Sequence, residues 1–255
     1  MGILGNLFNK GAKQANNAVV LDLLKRGKHP GQCKCIDYLY TPEEDAKKGC
    51  GGKKKKKKKK GGCFGKASAW DMDDYLAYVQ KYVDDLNLRQ RAIEKIGLDE
   101  SQIMEIPPVN LNFFHRRGDD VISKWEEADI EGTWRYVSNK FHVTWIFFSA
   151  TQIYTYTYVL DTISDNAVES TRDFFYKDIT CIRTEHEVEE NIIERKQGCG
   201  CFKKKESKFY HRNNEYDTLQ ITVPNDSYSF NCVTSETIEQ SIQAAKAMIR
   251  EKKNG

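Results

Sequence analysis

The hydrophobic pattern of this chain is most strand-like between residues 133 and 233. Residues 141–150 are rich in β-branched and aromatic side chains, and residues 152–161 alternate through Gln-Ile-Tyr-Thr-Tyr-Thr-Tyr-Val-Leu-Asp. Both patterns favour strands over helices. Turn signals at 164–166 and 224–226 separate neighbouring strands. The pattern predicts about seven strands, at 133–139, 141–150, 152–161, 170–176, 179–195 in one or two pieces, 215–223 and 227–233. An edge strand is predicted before them at 109–114, followed by a basic turn at 115–117.

Helical periodicity flanks this region on both sides. Apolar residues recur at three- and four-residue steps over 3–26 and over 71–96, where acidic residues occupy the first turn and Gly97 ends the pattern. A final helix is predicted over 235–252, with Ile238, Ile242, Ala245 and Ile249 on one face. The first of these helices has two interpretations: it docks on the folded body or frays, or it lies in a membrane interface.

Residues 133–253 resemble the pleckstrin-homology (PH)-like superfold, in particular the bacterial PH-like domains. The resemblance is carried by FHVTWIFFSATQIYTYTYVLDT, by FFYKDITCIRT and by the ending ITVPNDSYSFNCVTSETIEQSIQAAKAMIREKK. It implies an α+β fold, a PH-like antiparallel seven-stranded, partly open barrel with a C-terminal capping helix. It also implies a protein that binds lipids, peptides or protein partners and rarely catalyses a reaction. The superfold shares no fixed ligand motif, so the resemblance assigns no binding residue, and residues 1–131 match no family.

These patterns divide the chain into four predicted parts. Residues 1–26 form the amphipathic helix, 27–66 a flexible Cys/Gly/Lys-rich segment, 67–131 a helix plus connector, and 132–255 the PH-like domain. With 39% apolar residues among 255, the chain can bury one good core, or one core and a smaller satellite.

The positive charge of the chain is local. The formal net charge is +3, and removing the eight-lysine run leaves −5 on the remainder. Such a run is expected to be solvated, and near an anionic membrane each lysine contributes about 1 kcal/mol of attraction. Nucleic-acid binding is less favoured, because no aromatic residue is interleaved to stack on bases; a merely solvated run is a third interpretation. The candidate membrane-binding residues of this run are Lys53, Lys54, Lys55, Lys56, Lys57, Lys58, Lys59 and Lys60.

A second basic cluster lies between the strands predicted at 179–195 and 215–223. This segment is expected to be a hairpin tip, whose lysines converge on anionic head groups without being buried and whose single aromatic residue inserts into the interface. A solvated loop is the alternative. The residues concerned are Phe202, Lys203, Lys204, Lys205 and Lys208.

Six of the eight cysteines lie in Gly/Lys-rich sequence. Thiolates separated by glycine suit a tetrahedral structural zinc site. Reactive free thiols beside lysines, or palmitoylated cysteines, are the alternatives. The predicted zinc ligands are Cys33, Cys35, Cys50 and Cys63, with Cys199 and Cys201 as the second candidate pair.

The sequence contains no recognisable catalytic spacing, so a non-enzymatic protein is expected. Its five histidines are scattered, and His186 and its acidic neighbours alternate between the two faces of a predicted strand. Without a signal peptide pattern or a membrane-spanning stretch, we expect a cytoplasmic protein with reduced thiols, associated with the inner face of the membrane. The expected function is a peripheral membrane-associated PH-like binding module. The alternative is a soluble scaffold or regulatory protein whose zinc-binding segment contacts protein or nucleic acid; the sequence does not indicate an oligomeric state.

Overall fold

The computed structural model describes residues 22–40, 70–99, 107–116, 118–127, 134–197, 206–233 and 236–254. For 127, 134, 189–197, 206–215, 236–238, 241 and 252–254 it describes the backbone. These residues form a mixed α+β structure whose sheets are antiparallel. The predicted α+β class with antiparallel sheets is therefore confirmed. Among the described strands, the ladders form separate sheets and do not close into a barrel.

Three helices precede or flank the first strand: α1 (Pro30–Tyr40), α2 (Met72–Asp85) and α3 (Leu88–Ile96). Asp71 caps α2 through a reciprocal capping box with Asp74, in which the Asp71 carboxylate accepts from the Asp74 N–H. The helix predicted over 71–96 is in fact two helices, because Asn87 adopts a left-handed conformation with φ 46° and interrupts the hydrogen-bond ladder. Gly97, with φ 76°, ends α3 as predicted.

The main sheet has four strands in the order β1-β4-β5-β6. Its strands are β1 (Val109–Phe114), β4 (Lys140–Phe148), β5 (Gln152–Asp161) and β6 (Ala167–Phe175). A hairpin of β2 (Ser123–Glu127) and β3 (Trp134–Ser138) lies between β1 and β4 in sequence. The third sheet joins β7 (Cys181–Gln197), β8 (Glu206–Val223) and β9 (Asp226–Cys232), and α4 (Glu236–Asn254) follows it.

The main sheet includes the edge strand predicted at 109–114 and leaves out the strand predicted at 133–139. The segment predicted at 133–139 forms β3 and pairs with β2, whereas β1 pairs with β4. The buried Asn139 explains this separation of β3 from β4. Its amide oxygen accepts from the Ile122 N–H at 2.7 Å and its amide nitrogen donates to Asp161 at 3.0 Å, so the chain between β3 and β4 is tied to two other segments.

The principal core lies between the four-stranded sheet, the three-stranded sheet and α4. It includes Ile146 and Phe148 from the main sheet, Ile221 from β8, and Ile242 and Ile249 from α4. Consecutive residues of β4 face opposite sides of the sheet, so Phe147 belongs to a second core in which α3 packs against the other face.

A third core joins α1, α2 and β3. Cys35 and Tyr38 of α1 pack with Met72 and Tyr75 of α2 and with Val137 of β3. Residues 30–40, which the sequence analysis included in a flexible segment, therefore form a helix with buried side chains. Pro30 occupies the first helical position, where its missing N–H removes no hydrogen bond.

Candidate functional site

A long hairpin of β7 and β8 extends past the three-stranded part of its sheet. The β8–β9 register begins at Asp217 opposite Cys232, whereas β7 and β8 remain paired from there to Gln197 opposite Glu206. The register pairs from Val188–Glu215 to Gln197–Glu206 are therefore two-stranded among the described residues, and we call residues 188–197 and 206–215 the arm. At the usual rise per residue, the arm is about 30 Å long.

The base of the arm is held by aromatic and polar contacts. The guanidinium carbon of Arg116, which follows β1, lies 3.9 Å from the centroid of the Tyr216 ring, and the Tyr216 hydroxyl donates to Glu187 across the hairpin. His186 Nδ1 lies 2.9 Å from Asp217 Oδ1. A desolvated cation–π contact is worth up to about 2 kcal/mol, so Arg116 couples the arm to the main sheet.

The predicted basic site lies mostly outside the described residues. Lys53 to Lys60, Phe202 and Lys203 to Lys205 are not described, and Lys208 is described as a backbone position in β8 opposite Arg195. In the sequence, residues 198–205 connect Gln197 and Glu206, which are paired across the end of the arm. Sequence analysis missed Arg116 and Tyr216, for which the only signal was a basic segment following a predicted strand.

The two described cysteines of the predicted zinc site lie on α1. Cys35 is fully buried, and burial raises the pKa of its thiol to about 12, although a hydrogen bond with Thr162 acts in the opposite direction. Cys33 is half-buried, with its sulfur near the carbonyls of Lys25 and Lys28. A zinc ion would have to draw Cys35 out of an apolar cluster as a thiolate. Cys50, Cys63, Cys199 and Cys201 are outside the described residues, so zinc binding stays a prediction.

One row of residues has the composition of a catalytic triad without its geometry. His186, Asp217 and Cys232 occupy directly paired positions on β7, β8 and β9. The aspartate stands between the histidine and the cysteine, so the imidazole is two strands away from the thiol that it would have to deprotonate. Burial, and then the charge of Asp217, raise the pKa of Cys232 to about 11. These three residues therefore do not have the geometry of a nucleophilic catalytic triad.

Two other histidines meet at the end of the main sheet. The rings of His115 and His142 stack with centroids 4.8 Å apart and planes 11° apart. Burial, followed by the nearby His115 and Lys140, lowers the pKa of His142 to about 4. Parallel stacked rings cannot direct their nitrogens at one metal ion, and among the described residues no group of three metal-binding side chains occurs.

The described residues define a mixed α+β protein with antiparallel sheets. Comparison of the chain with protein families, with curated proteins and with solved structures finds no match. Among the described helices, none combines the length and the apolar character needed to cross a bilayer.

Proposed function

We propose that this protein is a non-enzymatic, PH-like binding module that associates peripherally with an anionic membrane surface at its cytoplasmic face. The observation that carries the proposal is the β7–β8 register, which brackets the basic segment 198–205 between the two ends of the arm. This segment is rich in lysine, and clustered lysines attract anionic head groups.

Strand order supports the PH-like part of the proposal. The strands β1, β4, β5 and β6 form one antiparallel meander, β7, β8 and β9 form a second, and the C-terminal helix α4 packs its apolar face between the two sheets. The Val233 N–H donates to the carbonyl of Asn112 at 3.4 Å, so the end of β9 lies beside β1. This order of two antiparallel sheets and a terminal helix supports the PH-like part of the proposal, in which the β2–β3 hairpin is an addition.

The acidic character of the rest of the chain explains why an arm would help the basic residues to bind a membrane. Outside the polylysine run the chain carries a net charge of −5, and α2 exposes Asp73, Asp74 and Asp85. An anionic membrane repels such a body within a Debye length, about 8 Å at physiological ionic strength. An arm of about 30 Å lets basic residues at its end engage the surface while the acidic body stays several Debye lengths away.

Vesicle co-sedimentation of the full chain tests the proposal. We expect binding to vesicles of anionic phosphatidylserine mixed with phosphatidylcholine, and none to phosphatidylcholine alone. Replacing Lys203, Lys204 and Lys205 with Gln should weaken binding by at least tenfold, since three lysines near the surface contribute roughly 3 kcal/mol. Replacing Lys53 to Lys60 with Gln should also weaken it and reduce its salt dependence.

The matched control removes three exposed positive charges from the body, by replacing Lys34, Lys81 and Lys177 with Gln. This variant has the same net charge as the arm variant but keeps Lys203 to Lys205, so it should bind like the unaltered chain. Equal losses in the two variants would reduce the effect to overall charge and refute a role for the arm. Absence of binding to anionic vesicles at low salt would refute the membrane proposal.

A further inference from the structure

A small polar groove lies between α1, α2 and the end of β5, remote from the arm. Its lining includes Gln32 from α1, Tyr78 and Tyr82 from α2, and Asp161 and Ser164 at the end of β5. The cavity within it is about 10 Å³, which is room for one group of the size of a water molecule.

Gln32 is the unusual residue of this groove. The residue is only 5% exposed, and its amide nitrogen donates to Asp165 Oδ1 at 2.6 Å. This bond fixes the orientation of the amide, because a carboxylate accepts and does not donate. The other amide atom, Oε1, is buried and has no hydrogen-bond partner among the described residues. Buried acceptors nearly always have a donor, so Gln32 Oε1 is able to accept from a donor that enters the groove.

The position of Gln32 is set by its helix. The Gln32 N–H donates to the ring Nδ1 of His29 at 3.2 Å, which caps the start of α1. Gly31 lies against the Tyr78 ring so closely that a Cβ there would come within 2.7 Å of it. Gln32 is therefore held beside the tyrosine instead of being free to rotate towards solvent.

The charge and aromatic character of the groove select a cation. The Asp161 carboxylate is part of the lining, with its oxygens accepting from Asn139 at 3.0 Å and from Ser164 at 2.8 Å. Tyr78 and Tyr82 also line the groove, and their ring centroids are 6.3 Å apart. Tyrosine faces attract cations, and no lysine or arginine is among the described lining residues.

We propose that this groove binds a primary ammonium group, supplied by a small free amine or by a lysine side chain. An –NH3+ group has three donors for Gln32 Oε1 and the neighbouring oxygens, and it is compact enough for the cavity. A trimethylammonium group carries the same charge but has no N–H donor and is too large. The site is independent of the membrane-binding proposal.

The test is a titration of the full chain with methylammonium chloride, followed by the NMR signals of the Tyr78 and Tyr82 rings. The ligand-efficiency ceiling for two heavy atoms sets the tightest expected Kd at about 5 to 10 mM. Saturable shifts should occur with methylammonium and be absent with tetramethylammonium or sodium chloride at equal concentration. The peptide acetyl-Gly-Lys-Gly-amide distinguishes the sources: tighter binding than methylammonium indicates a lysine side chain, and weaker binding a free amine.

The variant Gln32→Met removes the unpartnered oxygen and should weaken methylammonium binding about tenfold. The matched control is Gln80→Met on the exposed side of α2, where the amide donates to Asp84 at 2.8 Å, and it should bind normally. If Gln32→Met does not fold, Tyr82→Leu, which removes one aromatic face, should weaken binding severalfold instead. Equal shifts with tetramethylammonium, undiminished binding by both groove variants, or no saturable shift up to about 100 mM would overturn the proposal.

Discussion

Truncation of Ile249 tests whether α4 is an integral part of the principal core. This residue is 5% exposed and packs with Ile146, Phe148 and Ile221 from the two sheets. Ile249→Ala removes three carbon groups, for a transfer loss of roughly 2.4 kcal/mol. A residual cavity of roughly 50 Å³ adds about 1 kcal/mol, and the better helix propensity of alanine returns about 0.4 kcal/mol. The free energy of unfolding should therefore fall by about 3 kcal/mol.

Urea unfolding followed by tryptophan fluorescence measures this loss. The midpoint should shift with the m-value unchanged, and the Tm should fall by about 6 to 12 °C for a chain of this size. Gln243→Ala on the exposed side of the same helix is the matched control, with a change expected within about 0.5 kcal/mol. A loss below about 1 kcal/mol for Ile249→Ala, with the m-value unchanged, would show that α4 does not pack between the sheets.

Two further predictions concern buried polar groups. Tyr75→Phe should cost about 1 to 3 kcal/mol in urea unfolding, because the fully buried Tyr75 hydroxyl donates to the Ser138 carbonyl and pairs with the Thr162 hydroxyl, each at 2.8 Å; Tyr154→Phe, a half-buried control, should cost much less, and equal costs would refute a role for this network. Burial lowers the pKa of His142 from 6.5 to about 4, so the unfolded chain binds a proton that the folded chain excludes, and stability should fall as pH decreases from about 6.5 to about 4. His142→Gln should flatten this part of the pH profile, and an unchanged slope would contradict the assignment.

The parts of the fold that the sequence predicted well are those with a local period. Alternation along 152–161 predicted β5 as a strand, whose two faces are both partly buried: Ile153 lies in the principal core and Leu160, on the opposite face, in the second core. The three- and four-residue spacing in α4 predicted the face formed by Ile242 and Ile249, which enters the core. Each of these patterns reports whether a single element is a strand or a helix, so no knowledge of its neighbours was needed.

Elements whose burial depends on distant partners were not predicted. Helix α1 lies in a Gly/Lys/Cys-rich sequence, and its Cys35 and Tyr38 become buried only through contacts with α2 and β3. Similarly, the polar sequence of 206–214 gave no strand signal, yet its backbone pairs with β7 throughout. Ladder hydrogen bonds do not depend on side-chain polarity, so a strand of this kind is specified by its partner.

The two candidate sites differ in the same way: one has a local sequence signal and the other depends on distant residues. The basic segment 198–205 was apparent from sequence, because clustered lysines are a local compositional signal. The amine groove was not, since Gln32 and its partner Asp165 are separated by 133 positions and neither belongs to a motif. The groove is recognised by the buried acceptor Gln32 Oε1, which has no donor among the described residues. This acceptor is buried only when α1 packs against the end of β5, so the sequence alone does not reveal it. A ligand that restores the missing donor would therefore stabilise the docking of α1 as well as occupy the groove, because it binds an arrangement that exists only in the folded chain.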